Sequence, residues 1–340
     1  MYSSDQKINK LFYYWLLTSF ILVFIMVIVG GLTRLTNSGL SITEWELFTG
    51  ILPPITQARW DMYFDAYKKI PQYYLLNQNM TIDEFKIIFY WEYFHRILGR
   101  IIGLFFLIPL IYFYYTKKIK KDYLQVSSIV FALILLQGFV GWYMVESGLV
   151  NEVTVSHYRL SLHLSIAFFI ISILFWMILN FRNYQFFFKN KKKNIIFFYF
   201  LIFLLFVQII IGAFVSGLDA GKIYQTWPLM NYSYFPDDII LKNLEFLLDF
   251  NNEGLIQFYH RNIAYFIIIY VAGLGFYIFK KNIKKLFRPF YILSFFLIAQ
   301  VLLGIITLLS GLNLYLASAH QICSIFLILS VINLYYCYIK

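Results

Sequence analysis

The 340-residue chain contains five histidines: His95, His157, His163, His260 and His320. Four of them fall inside long apolar runs, and their surroundings repeat. Tyr93-Phe94-His95-Arg96 is echoed by Phe258-Tyr259-His260-Arg261. Tyr158 stands five residues before His163, as Tyr315 stands five before His320. Polar groups are costly in hydrocarbon and usually mark function when they occur there. Imidazole is an axial ligand of haem iron, so two histidines at one depth on facing helices could hold an iron between them. The alternatives are histidines hydrogen-bonded to a neighbouring helix, or a zinc or copper site. A zinc or copper site would want cysteine or carboxylate ligands converging on one point. The repeat instead offers two separate pairs, His95 with His163 and His260 with His320. Gly99, Gly103, Ser161, Ser165, Ala317 and Ala319 leave room nearby for a planar macrocycle. Arg96, Arg159 and Arg261 lie close to the outer surface, where they could pair with haem propionates.

Glu92 breaks the symmetry between the pairs. It lies one helical turn before His95 on the same face, and the matching position is Gln257. A carboxylate beside one pair alone suggests that the two sites do different work. The alternative is an interfacial Glu paired with Arg96 or Arg100. The Glu-x-x-His spacing also occurs in di-iron bundles, but those need further carboxylates. His157 has no counterpart in the second half and is expected to be interfacial. The two cysteines, Cys323 and Cys337, share one apolar run and suggest neither a disulfide framework nor a metal site.

These residues need elements to position them. The chain is 61% hydrophobic and 13% charged, with a mean hydropathy of +0.70. Soluble domains carry about 25% charged residues, so a membrane protein is expected. A spanning helix needs about 20 apolar residues, and eight runs qualify: 11–33, 88–115, 124–145, 158–180, 194–216, 256–279, 289–310 and 314–338. The fold class is therefore all-α and polytopic. The first run is too long for a signal-peptide core, and no transit peptide precedes it. That favours a bacterial protein over an imported mitochondrial one.

The net charge of +11 does not point to nucleic acid, because the basic residues cluster between spans. Lys7, Lys10 and Lys340, with groups near 117–121, 182–193 and 280–288, put 17 of the 28 basic residues on one side. The positive-inside rule places that side, and both termini, in the cytoplasm. The loops 34–87 and 217–255 then face outward. The four paired histidines all sit near the outer ends of their helices. Leu136-Gln137-Gly138 and Ala299-Gln300-Val301, with Gly30-Gly31 and Gly212-Ala213, extend the repeat. The expected architecture is two pseudo-symmetric four-helix bundles, residues 1–180 and 194–340, joined by a basic loop at 181–193.

At this point the motifs resemble those of the heme A synthase family, in its alphaproteobacterial and mitochondrial form. The stretches run along nearly the whole chain. They are Gly30-Gly31-Leu32-Thr33-Arg34-Leu35-Thr36 with Ser38-Gly39-Leu40-Ser41, and Trp91-Glu92-Tyr93 with His95-Arg96 and Gly99-Arg100. Next come Gln137-Gly138 with Gly141-Trp142-Tyr143-Met144-Val145 and Ser147-Gly148-Leu149, then Tyr158-Arg159-Leu160 with His163-Leu164. Gly212-Ala213-Phe214-Val215, Gly217-Leu218-Asp219-Ala220-Gly221, Pro236-Asp237-Asp238, His260-Arg261 and His320-Gln321 complete the set.

The resemblance implies an oxidoreductase of CH or CH3 groups. It would oxidise the C8 methyl of heme O to the formyl of heme A by successive hydroxylations, for cytochrome oxidase. It further implies a heme b held by His260 and His320, and a heme O substrate at Glu92, His95 and His163. Electrons would cross from the first site to the second. Expected partners are heme O synthase, cytochrome oxidase assembly factors, membrane lipid and a second copy of the chain, in a bacterial inner membrane. The rival reading is a di-haem b-type cytochrome that relays electrons. A transporter built on a parallel repeat would place its polar groups at mid-membrane, whereas here they lie near the outer surface.

Overall fold

A computed structural model describes residues 4–45, 49–151, 154–182, 195–236 and 247–340. Those residues form ten α-helices with short 3-10 turns and no named strand; Met230 and Ser233 make an isolated bridge. The helices are α1 Ser4–Leu35, α2 Gln57–Tyr67, α3 Pro71–Leu76, α4 Ile82–Thr116 and α5 Lys121–Asn151. They continue with α6 His157–Arg182, α7 Ile196–Gly217, α8 Glu253–Lys280, α9 Phe287–Leu309 and α10 Leu314–Ile339. Eight of them, all but α2 and α3, are long and apolar enough to cross a membrane. They match the eight runs read from sequence, and the protein is an all-α, multi-pass membrane protein.

Local chemistry sets the ends. The run at 88 extends back to Ile82 because Thr81 and Glu84 form a reciprocal capping box. The Glu84 amide donates to Thr81 Oγ1 at 3.3 Å, and the Thr81 amide to Glu84 Oε2 at 2.8 Å. Asn252 caps α8 through the Leu255 amide at 2.8 Å. The tight turn between α9 and α10 takes two left-handed residues, Gly311 (φ 70°) and Leu312 (φ 63°). Their amides close back onto Leu308 and Thr307.

The chain divides into two compact units, Met1–Ile178 and Leu179–Lys340, with the division in the last turn of α6. In the first, α1 packs on α4 and α4 on α5. In the second, α7 packs on α8 and α10 on both α9 and α7. Of the expected linker 181–193, residues 183–193 lie outside the described residues, as do Asp237 and Asp238 of the quoted motif. Large apolar side chains such as Leu104, Ile108, Ile269, Phe276 and Phe295 are left uncovered by protein. Lipid is their natural neighbour.

The loop 34–87, expected to face outward, is more than a plain loop. It folds α2 and α3 into a cap with its own core of Leu40, Ile42, Trp60, Phe64, Tyr67, Ile70, Phe85, Ile88, Phe89 and Val155. Trp60, Phe64 and Tyr67 recur at helical spacing. Thr56 caps α2 through the Arg59 amide, and Pro71 opens α3. The cap packs the chain after α1 onto the N-terminal end of α4.

Candidate functional site: two histidine pairs

The first unit brings His95 of α4 and His163 of α6 together, ring centres 6.4 Å apart with planes at 48°. The second brings His260 of α8 and His320 of α10 together, also 6.4 Å apart, at 70°. Two imidazoles bound head to head on one metal place their ring centres about 6.4 Å apart, from two bonds of about 2 Å and a ring radius on either side. Both pairs therefore fit a single six-coordinate iron. Among the described residues, no three His, Cys, Asp or Glu converge as zinc or di-iron ligation would require.

The rings are held by glycines. A Cβ built on Gly30 of α1 would lie 2.9 Å from His95 Cε1, and one on Gly141 of α5 would lie 3.1 Å from His163 Cε1. One on Gly212 of α7 would lie 3.0 Å from His260 Cε1, and one on Gly304 of α9 would lie 2.9 Å from His320 Cε1. Each paired histidine thus packs edge-on against a glycine of a neighbouring helix, in a space a methyl group would fill. The glycines singled out from sequence do less. A Cβ on Gly99 would touch Met26, and Gly103 has nothing within 4 Å.

The polar surroundings differ between the pairs. His320 Nδ1 lies 3.1 Å from the Gln300 carbonyl oxygen, and Gln300 Nε2 lies 3.3 Å from His320 Nε2. Gln208 Nε2 lies 3.2 Å from His260 Nδ1 and donates to the His260 carbonyl at 3.0 Å. In the first unit, Gln137 donates only to the His163 carbonyl, at 2.9 Å. His95 Nδ1 and His163 Nδ1 are buried without a hydrogen bond.

Glu92 is buried, and both of its oxygens are occupied. Ser41 Oγ donates to Oε2 at 2.7 Å and the Ile42 amide at 2.9 Å. Arg96 donates to Oε1 through Nη2 at 2.6 Å and Nε at 3.1 Å, and reaches the Ile42 carbonyl at 3.0 Å. Arg96 also lies over the Trp45 ring. In the second unit, Gln257 Nε2 and Arg261 Nη2 both donate to the Tyr224 carbonyl, at 2.9 and 3.1 Å. The two positions thus share one task, fastening the preceding loop to the helix that carries the histidine, and only the first does it with a carboxylate. Arg159 donates to Ser147 Oγ and lies over the Tyr143 ring. All three arginines expected to meet propionates are engaged with protein groups.

His157 stands at the loop edge, where the sequence places it, and its side chain is covered by protein. It starts α6 and is 9% exposed, with its ring against Tyr158. Cys323 and Cys337 are free thiols. Sequence reading missed Gly141 and Gly304 as ring contacts, Gln208 as a ring partner, and Ser41 and Ile42 as anchors of Glu92. A signal was present: Gln137-Gly141, Gln208-Gly212 and Gln300-Gly304 share one four-residue spacing, with Met26-Gly30 in the remaining helix.

Comparisons with known proteins identify the family. Residues 13–332 match the family model described as cytochrome oxidase assembly protein. The chain is 47% identical to the heme A synthase of Pelagibacter ubique, over 99% of both chains. It is 43% identical to that of Rickettsia bellii, over 95% of this chain and 96% of the relative. It is 41% identical to that of Flavobacterium psychrophilum, over 93% and 94%. Carrying the family's match from end to end, with both histidine pairs within it, the chain belongs to the cytochrome oxidase assembly family that includes the heme A synthases.

Proposed function

We propose that this protein oxidises heme O to heme A, converting the C8 methyl group to a formyl group by successive hydroxylation. The observation that carries the proposal is the pair of bis-histidine sites, alike in spacing but unlike in surroundings. His260 and His320 fit a resident heme b, with Gln208 and Gln300 at their rings. His95 and His163 fit the substrate haem. A bound heme b would supply an iron that exchanges single electrons with the substrate site, where oxidation of the methyl group also consumes an external oxidant.

The protein's own groups do the rest. His95 and His163 fix the depth of heme O, and Gly30 and Gly141 allow the rings their approach. Glu92 accepts hydrogen bonds at both oxygens, which fix the position of its carboxyl group. Its role is to stabilise positive charge developing at the methyl carbon. Arg96, Arg159 and Arg261 lie at the outer end, where propionates would compete with or join their present partners. The clustering of basic residues on one side supports cytoplasmic termini in a bacterial inner membrane. Heme O is poorly soluble in water, which favours transfer from heme O synthase within the membrane and onward delivery to cytochrome oxidase assembly factors.

Purified His260→Ala and His163→Ala variants test the assignment. His260→Ala should lose the low-spin b-type spectrum, and His163→Ala should keep it but form no heme A. Retention of the full b-type spectrum by His260→Ala would overturn the division of labour. The equal spacing of the two pairs is what favours a di-haem electron relay as second reading; such a relay would yield only b-type haem.

A further inference from the structure

The four glycine contacts make the two sites look alike, so what differs around them stands out. Four residues before each ring-facing glycine, one helical turn away, stands Gln137, Gln208, Gln300 or Met26. In the second unit the glutamine residues reach their histidine rings, Gln208 through its side chain and Gln300 through its main-chain carbonyl and its amide. In the first unit neither ring is reached: Gln137 is spent on a main-chain carbonyl, and Met26 cannot donate a hydrogen bond. Both Nδ1 atoms there are buried and unbonded.

An imidazole that gives Nε2 to a metal carries its hydrogen on Nδ1. An acceptor for that hydrogen fixes the ring's orientation and raises its basicity as a ligand. His320 has such an acceptor in the Gln300 carbonyl. Beside His260, the Gln208 amide lies against Nδ1 with its Nε2 3.2 Å away; turned end for end, it would present Oε1, which has no hydrogen bond of its own, as the acceptor a metal-bound ring needs. His95 and His163 have none, and only packing orients them.

Resting on the reading of both pairs as haem sites, we propose that this one-turn register sets haem exchange. Gln208 and Gln300 tether the rings of the second pair and make its haem resident, whereas Met26 and Gln137 leave the first pair untethered so that substrate can enter and product leave. The positioning residues are thus Gln208 for retention and Met26 for release. A substrate site needs ligands that let go, and a site for a resident cofactor needs the opposite.

The test uses full-length protein purified from cells that also make heme O, incubated with excess apomyoglobin as haem acceptor. The haems left on the protein are extracted and separated with time. In the wild type, heme O and its oxidation products should leave about tenfold or more faster than heme b, the scale on which such supporting partners act. Gln208→Met should speed heme b loss about tenfold and raise its midpoint potential, since a less basic ligand stabilises ferric iron less. Met26→Gln should slow the loss of heme O, a gain that misfolding cannot imitate. Heme b loss and potential both unchanged in Gln208→Met, or heme O release unchanged in Met26→Gln, would overturn the inference while leaving the haem sites standing. Wild-type protein with no haem at all would overturn both.

Discussion

Glu92→Gln is the most informative single change, because the structure separates its mechanical effect from its chemical one. The carboxylate accepts four hydrogen bonds, two from Arg96 and one each from Ser41 and the Ile42 amide. The side chains of Arg96 and Glu92 are 11% and 3% exposed, so solvent screens the pair little. An amide offers one oxygen in place of two, so one set of donors must face the new NH2 group. Hydrogen bonds to a charged group contribute about 1.5–3 kcal/mol each. Breaking a buried pair from one side costs about 3–5 kcal/mol, because the other charge is left uncompensated. The expected result is about 3 kcal/mol or more of local destabilisation, localised to the chain after α1. Hydrogen exchange at the Ile42 amide reads this directly, and its protection should fall by about a hundredfold. Comparison with Arg96→Leu completes the test. If Glu92 served only as an anchor, Arg96→Leu, which removes the other hold on Ile42, would lower heme A formation about as much as Glu92→Gln. If its charge acts on the substrate, Glu92→Gln lowers heme A formation well below Arg96→Leu. Unchanged protection at Ile42 in Glu92→Gln would refute the reasoning.

Gly30→Ala, Gly141→Ala, Gly212→Ala and Gly304→Ala should each displace one ring, since the added Cβ would lie within about 3.1 Å of an imidazole carbon. Each should lower haem occupancy at its own site and leave the other spectrum intact, as measured by haem extraction per protein. The cap built from α2 and α3 should respond to alkali. Tyr67 donates to Gln72 at 3.0 Å and accepts from Asn77 at 2.7 Å, and burial holds its phenol above the ordinary value of 10.0. A phenol whose value is raised in the fold contributes stability that is present below pH 10 and lost as pH rises through the folded value. Trp60 fluorescence should therefore report loosening of the cap above pH 10, and Tyr67→Phe should abolish that step. Thr81→Ala removes the capping box of α4 and should cost about 1 kcal/mol, read as faster exchange of the Phe85 amide.

Long apolar runs made the eight spanning helices legible, because hydrocarbon admits few other structures. The histidine pairs were legible for a related reason: a polar residue repeated at one depth has few inert explanations. The cap was not, because a search for runs of about 20 apolar residues passes over Trp60, Phe64 and Tyr67, whose spacing is helical but whose neighbours are polar. The anchors of Glu92 were hidden by distance, since Ser41 lies 51 residues away in sequence and only folding of the cap delivers it. Glu92 looked like a neighbour of His95 by its spacing, yet its carboxylate is committed to the loop and to Arg96. Ring-facing glycines were likewise invisible one helix at a time, because the space they leave belongs to a histidine on another.

Conversion of heme O into heme A is the reaction on which the roles of both histidine pairs depend. The most direct test is to express the protein with heme O synthase in a host that makes no heme A, then extract and chromatograph the haems. The account predicts heme A, or a hydroxylated heme O, beside heme b. Recovery of heme b and unaltered heme O alone, from folded protein supplied with reductant, would contradict it.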